Sequence, residues 1–117
     1  DQLIKNKTNI VNKRNVTKNI YVDSLEGEIT VKSAPQEVII DIMGMSERTD
    51  IIKSIVYECV ISPNLKDKEL HKAFDCLEPS DIVFKLFTVA EAGMISDIIA
   101  NISGAQNKVK IIDEVKN

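Results

Sequence analysis

Between Thr88 and Gly104 the chain spells out a complete helix, and that stretch limits the possible fold more than any other. Thr88-Val-Ala-Glu91 has the spacing of a capping box, in which the Thr and Glu side chains satisfy each other's orphan amides at a helix start. Ile95, Ile98, Ile99 and Ile102 then recur three or four residues apart, which is one apolar stripe of a helix. Gly104 supplies the stop. A helix with one apolar stripe needs a surface to pack on, and the rest of the chain is written to provide it. Pro35 suits a first helical position, with Val38, Ile39, Ile42 and Met43 following on one stripe before Gly44. Ser46 is placed to cap a second helix whose rows Ile51/Ile55/Cys59 and Ile52/Val56/Val60 give a wide apolar face, closed by Ser62-Pro63-Asn64. Asp67 can cap a short helix carrying Leu70, Ala73 and Phe74, and Pro79 opens another with Ile82, Val83, Leu86 and Phe87.

Upstream, the period changes to two. Ile20 and Val22, then Ile29 and Val31, alternate on either side of a polar turn in which Gly27 can supply a positive φ, so residues 19–33 read as a β-hairpin. Two short strands are not stable alone, so the hairpin must lean on the helices or add to another sheet. Residues 1–18 mix Asn, Lys and isolated aliphatics without a clean period and read as a flexible arm, or one ordered only by a partner. Residues 105–117, with Val109, Ile111, Ile112 and Val115, read as a frayed helix. The expectation is a mainly α protein: one domain over residues 19–117, about five short helices with an N-terminal β-hairpin, preceded by a basic arm over 1–18.

The length of 117 residues suits one domain able to bury about two-thirds of its unfolded surface. With no Trp, three Phe and two Tyr, its core must be aliphatic. Charge is unevenly spread. Residues 1–20 hold five bases against one acid, a balance of +4, while the remainder holds ten bases and seventeen acids, −7. An acidic body disfavours nucleic acid or an anionic membrane, which demand clustered cations. Apolar runs such as Val38-Ile39-Ile40 fall far short of the roughly 20 residues that span a bilayer. Cys59 and Cys76, with no CxxC, indicate a reducing setting with buried or idle thiols.

No constellation points to chemistry. Asp67, His71 and Asp75 fall at i, i+4, i+8 near Cys76, but a metal requires ligands converging from at least two elements, and a solvated acid–His–acid ladder is the simpler reading. His71 has no nucleophile motif beside it, and the four glycines are too dispersed for a phosphate-cradling loop. No catalytic residue, metal ligand or cofactor is assigned, and an enzyme is not expected. Met43 and Met45 flank Gly44, and Met94 adjoins Gly93; polarizable side chains near a local weak point suit adaptable binding of apolar partners. Phe84 and Phe87 belong to a helix apolar over most of its circumference, which is either buried or docks something. Met43, Met45, Phe84 and Phe87 are therefore the candidate partner-binding residues, with core filling as the alternative for each.

The run Val60-Ile-Ser-Pro-Asn-Leu-Lys-Asp-Lys-Glu-Leu70, followed by Phe74, Glu78-Pro79 and Asp81-Ile82-Val83, resembles the tail assembly chaperones of tailed phages, specifically the XkdN-like group of PBSX-type elements. Ala90-Glu91-Ala92 and Ile102-Ser103-Gly104 match that group's last helix, and the hairpin resembles its N-terminal portion; the resemblance covers about residues 20–104. It implies a protein without enzymatic activity that binds the long tape measure protein in the host bacterial cytoplasm. It would keep that partner soluble until tail tube subunits take over. It also implies the tube protein as a second partner, self-association, and a longer form made by translational frameshift. A permanent structural subunit of a tail or baseplate, with residues 1–18 lacing into a neighbour, is the alternative. A DNA-binding regulator ranks last, because the helices are acidic.

Overall fold

A computed structural model of the protein describes residues 2–104. The order of elements is α1 (Gln2–Lys5), α2 (Lys7–Arg14), β1 (Thr17–Val22), β2 (Gly27–Lys32), α3 (Gln36–Met43), α4 (Arg48–Cys59), β3 (Val60–Ser62), α5 (Lys68–Ala73), α6 (Ile82–Leu86) and α7 (Val89–Ile102). Short 3₁₀ turns at Asp23–Leu25 and Pro79–Asp81 complete it. The fold is mainly α with a minor sheet, and the five helices expected in the body are all present. The expected frayed helix at 105–117 lies outside the described residues.

The hairpin forms with Ile20 opposite Ile29 and Val22 opposite Gly27. Two details differ from the sequence reading. Strand β1 begins at Thr17, and the left-handed residue of the turn is Glu26, at φ 51°, rather than Gly27. The 3₁₀ turn brings the reversal forward by one residue, which leaves Gly27 free to pair opposite Val22. Support for the hairpin comes partly from β3, which extends directly from α4 and pairs antiparallel to β2 with Val31 opposite Val60. Val60 continues the apolar row of α4, so the sequence alone assigns this three-residue strand to the end of a helix.

One face of this sheet and three helices share the core. Val22, Ile29 and Val31 pack with Ile52, Ile55, Val56 and Cys59 of α4, Ile82 and Val83 of α6, and Ala92, Ile95 and Ile99 of α7. Leu65, from the loop after β3, is fully buried. Burying aliphatic side chains of this size contributes roughly 1.5–3 kcal/mol each, and α4 against α7 is the principal helix pair. The capping box at the head of α7 is present: the Thr88 N–H donates to Glu91 Oε1 at 2.9 Å, and the Glu91 N–H donates to Thr88 Oγ1 at 3.1 Å. The Ser24 hydroxyl donates to the same Glu91 oxygen at 3.0 Å, so the cap also fastens the hairpin turn to the helix. At the other end Ser103 Oγ accepts from the Ala34 N–H at 2.7 Å and donates to the Ile99 carbonyl, tying the end of α7 to the entry of α3.

Residues 2–14, expected as an arm without regular structure, form α1 and α2. The sequence hid them because neither helix has an apolar stripe aimed at a core; of the side chains described there, Ile10 alone is half-buried.

Candidate functional site

Gly44 ends α3 with its N–H bonded back to the Asp41 carbonyl; Val38 is the one buried residue of that helix, and Ile42, one turn on, packs half-buried against the core. The opposite side is therefore left to solvent although it is apolar. Ile40 is 66% exposed and Met43 is 79% exposed, three residues apart on one side of the helix. Ile39, one turn before Met43, faces a cleft of about 670 Å³ bounded also by Val11 and Val16 at the base of the arm, Pro35 and Ile61. Among the described residues, Lys32 is its one charged lining residue. An exposed aliphatic row beside a largely uncharged cleft is what an apolar segment of another chain can cover.

The structure separates the four residues singled out in the sequence. Met43 lies on this exposed row. Met45, half-buried, faces a different hollow of about 470 Å³ between α4 and the 3₁₀ turn at Pro79. Phe84 is half-buried against the core, and Phe87 is 2% exposed within it. Phe87 therefore packs inside the body, because its backbone N–H still bonds to the Val83 carbonyl and holds it at the turn into α7. Ile40 was missed; its exposure depends on how few contacts α3 makes, which the stripe alone does not reveal.

The polar candidates take structural roles. Asp67 Oδ1 accepts from the Glu69 N–H at 2.9 Å as the cap of α5. Asp75 lies past the end of that helix at φ 55°, so it does not continue the expected ladder. His71 Nε2 is 2.6 Å from the Leu65 carbonyl, which can only accept, so this nitrogen carries the proton. No group of three or more His, Cys, Asp or Glu side chains is arranged to hold a metal among the described residues. Burial pushes the Cys59 thiol up to about 11, far from a reactive thiolate. Asp81, which accepts from the Glu78 N–H at 3.0 Å and faces Lys53 at 3.3 Å, is held below the ordinary carboxylate range.

A family model described as phage XkdN-like tail assembly chaperone protein matches residues 42–116, well over half the chain. The chain belongs to that family. As an XkdN-like tail assembly chaperone it is a member of a family of phage assembly proteins rather than of enzymes. No curated protein and no solved structure matches it. The matched segment begins inside α3 and takes in Met43, Met45, α4 to α7 and the intervening strand; the hairpin, expected to belong to the family portion, lies before it. No helix among the described residues is long and apolar enough to cross a membrane.

Proposed function

We propose that this chaperone acts in the host cytoplasm by covering an apolar stripe on the tape measure protein and keeping it soluble until tube subunits replace it. The observation that carries the reading is the row of Ile40 and Met43, apolar and left to solvent on one side of α3, whereas the main stripes of α4 and α7 are buried. Displaced water on both surfaces supplies the driving force, at about 25 cal/mol per Å² of apolar area covered. Met43 adapts to irregular side chains because its thioether is flexible and polarizable. Several copies along one long client gain avidity without a tighter single contact.

Co-expression with the tape measure protein tests this. The client should move from pellet to supernatant, and Ile40→Asp with Met43→Asp should abolish the shift while leaving the far-UV circular dichroism unchanged. A client that stays in the pellet with the wild-type chain refutes the reading. Solubilisation by the double variant refutes the assigned face. Presence of the chain in purified mature particles would instead make it a permanent subunit.

A further inference from the structure

The basic arm carries apolar surface that the body leaves uncovered. Helices α1 and α2 are four and eight residues long, follow one another through Asn6, whose N–H bonds to the Gln2 carbonyl, and touch the body little. Isolated helices shorter than roughly 12–15 residues are marginal in water, so a helical arm of this size draws stability from a surface laid against it. Leu3 and Ile4 are 72% and 74% exposed, and Lys5 and Lys7 follow them directly. The surface that fits this composition is the hollow between α4 and the Pro79 turn. Met45, Tyr57 and Pro79 supply its apolar part, and Asp50 and Glu58 add acidic groups. Lys53, which also lines it, is turned to Asp81 at 3.3 Å, and Glu58 holds Lys66 at 2.8 Å. Asp50 makes no ion pair among the described residues, so it is the acid left for an incoming lysine, and Glu58 would have to exchange Lys66 for one.

We propose that the arm of one copy docks in this hollow on a second copy, Leu3 and Ile4 against Met45, Tyr57 and Pro79, with Lys5 and Lys7 facing Asp50 and Glu58. Charge complementarity selects a second copy as the occupant, since the first twenty residues are +4 and the rest of the same chain is −7. Arm and hollow are different surfaces, so two copies that exchange arms reciprocally close a dimer, and copies that do not exchange repeat the contact head-to-tail into a ring or an open array. The contact stands independently of which client the chaperone covers.

Analytical ultracentrifugation of the full chain tests it. Wild type should associate in a concentration-dependent way that weakens with salt. Leu3→Ser with Ile4→Ser, Lys5→Glu with Lys7→Glu, and Asp50→Lys with Glu58→Lys should each weaken association about tenfold or more. Mixing the last two variants should restore it, because each then offers the charge the other's site lacks. Wild type that stays monomeric, variants that associate as wild type does, or a mixture that fails to recover would overturn the proposal. Carbodiimide cross-linking of a mixture of ¹⁵N-labelled and unlabelled wild type decides the matter even if a variant misfolds. Peptides joining Lys5 or Lys7 to Asp50 or Glu58 across the two labels support the contact. Cross-links confined to one label place the arm on its own body and overturn it.

Discussion

Replacing Gly93 with alanine should stabilise this protein, although the residue lies at the interface of its two principal helices. Gly93 is the fifth residue of α7 and, unlike Gly104 at φ 91°, has no positive φ, so its conformational freedom goes unused in the folded state. A Cβ built there meets Ile52 Cδ1 of α4 at 3.9 Å, ordinary van der Waals contact. Alanine is favoured over glycine in a helix interior by roughly 0.8–1 kcal/mol, and part of this comes from restricting the unfolded chain. With an unfolding entropy near 2.1 cal/mol/K per residue, a domain of about 100 residues shifts by about 5 °C per kcal/mol. The thermal midpoint of Gly93→Ala should therefore rise by about 4–5 °C in calorimetry, and the urea midpoint should rise with unchanged slope. A lowered midpoint would mean that α4 and α7 need the missing methyl's space, and would refute the reasoning. Met94 next to it stays at the surface, so client solubilisation should not change.

Phe87→Ala should cost about 3–5 kcal/mol by cavity formation, whereas Met43→Ala should stay within about 0.5 kcal/mol; chemical denaturation of both separates the core aromatic from the exposed methionine. Glu91 and Asp81 both sit below their ordinary carboxylate values, the first mainly because it accepts the Thr88 N–H and the Ser24 hydroxyl, the second mainly because it accepts the Glu78 N–H. Their contribution is complete above the ordinary carboxylate range near pH 4 and disappears as pH falls through the folded values, so acid unfolding curves of Glu91→Gln should be flatter than wild type there. Under native conditions a thiol reagent should modify Cys76, which is half-buried, before Cys59, which reacts only after denaturation; equal rates would contradict the burial of Cys59.

What could be read from the sequence was whatever local chemistry decides. The Thr88 capping box, the Asp67 cap, the isoleucine stripe of α7 and the two-residue alternation of the hairpin each involve residues a few positions apart, and each is where it was expected. One local cap fails: Glu47, without a side-chain hydrogen bond, takes the N-cap of α4 in place of Ser46. The other misreadings occur where the surrounding structure outweighs a local pattern. Val60 continues the row of α4, yet pairing opposite Val31 converts it into a strand. Asp75 keeps the spacing of a ladder, but the helix under it ends at Ala73. Helices α1 and α2 have no stripe to detect, since the described body scarcely buries them.

The candidate binding face follows the same logic from the other side. A methionine or phenylalanine at helical spacing has identical chemistry whether it fills a core or meets a partner, so periodicity selected Met43 and Phe87 together. Tertiary packing separates them. Phe87 caps the end of α6, a helix that packs on α4, the Pro79 turn and α7, and is itself 2% exposed. Helix α3 packs mainly on α4 alone, so one buried row, led by Val38, is enough to hold it, and the remaining aliphatics stay outside. A helix with a single packing neighbour and apolar residues on two sides keeps a second face in reserve. That imbalance between composition and contacts, rather than any residue type, is what makes α3 the surface proposed for a client.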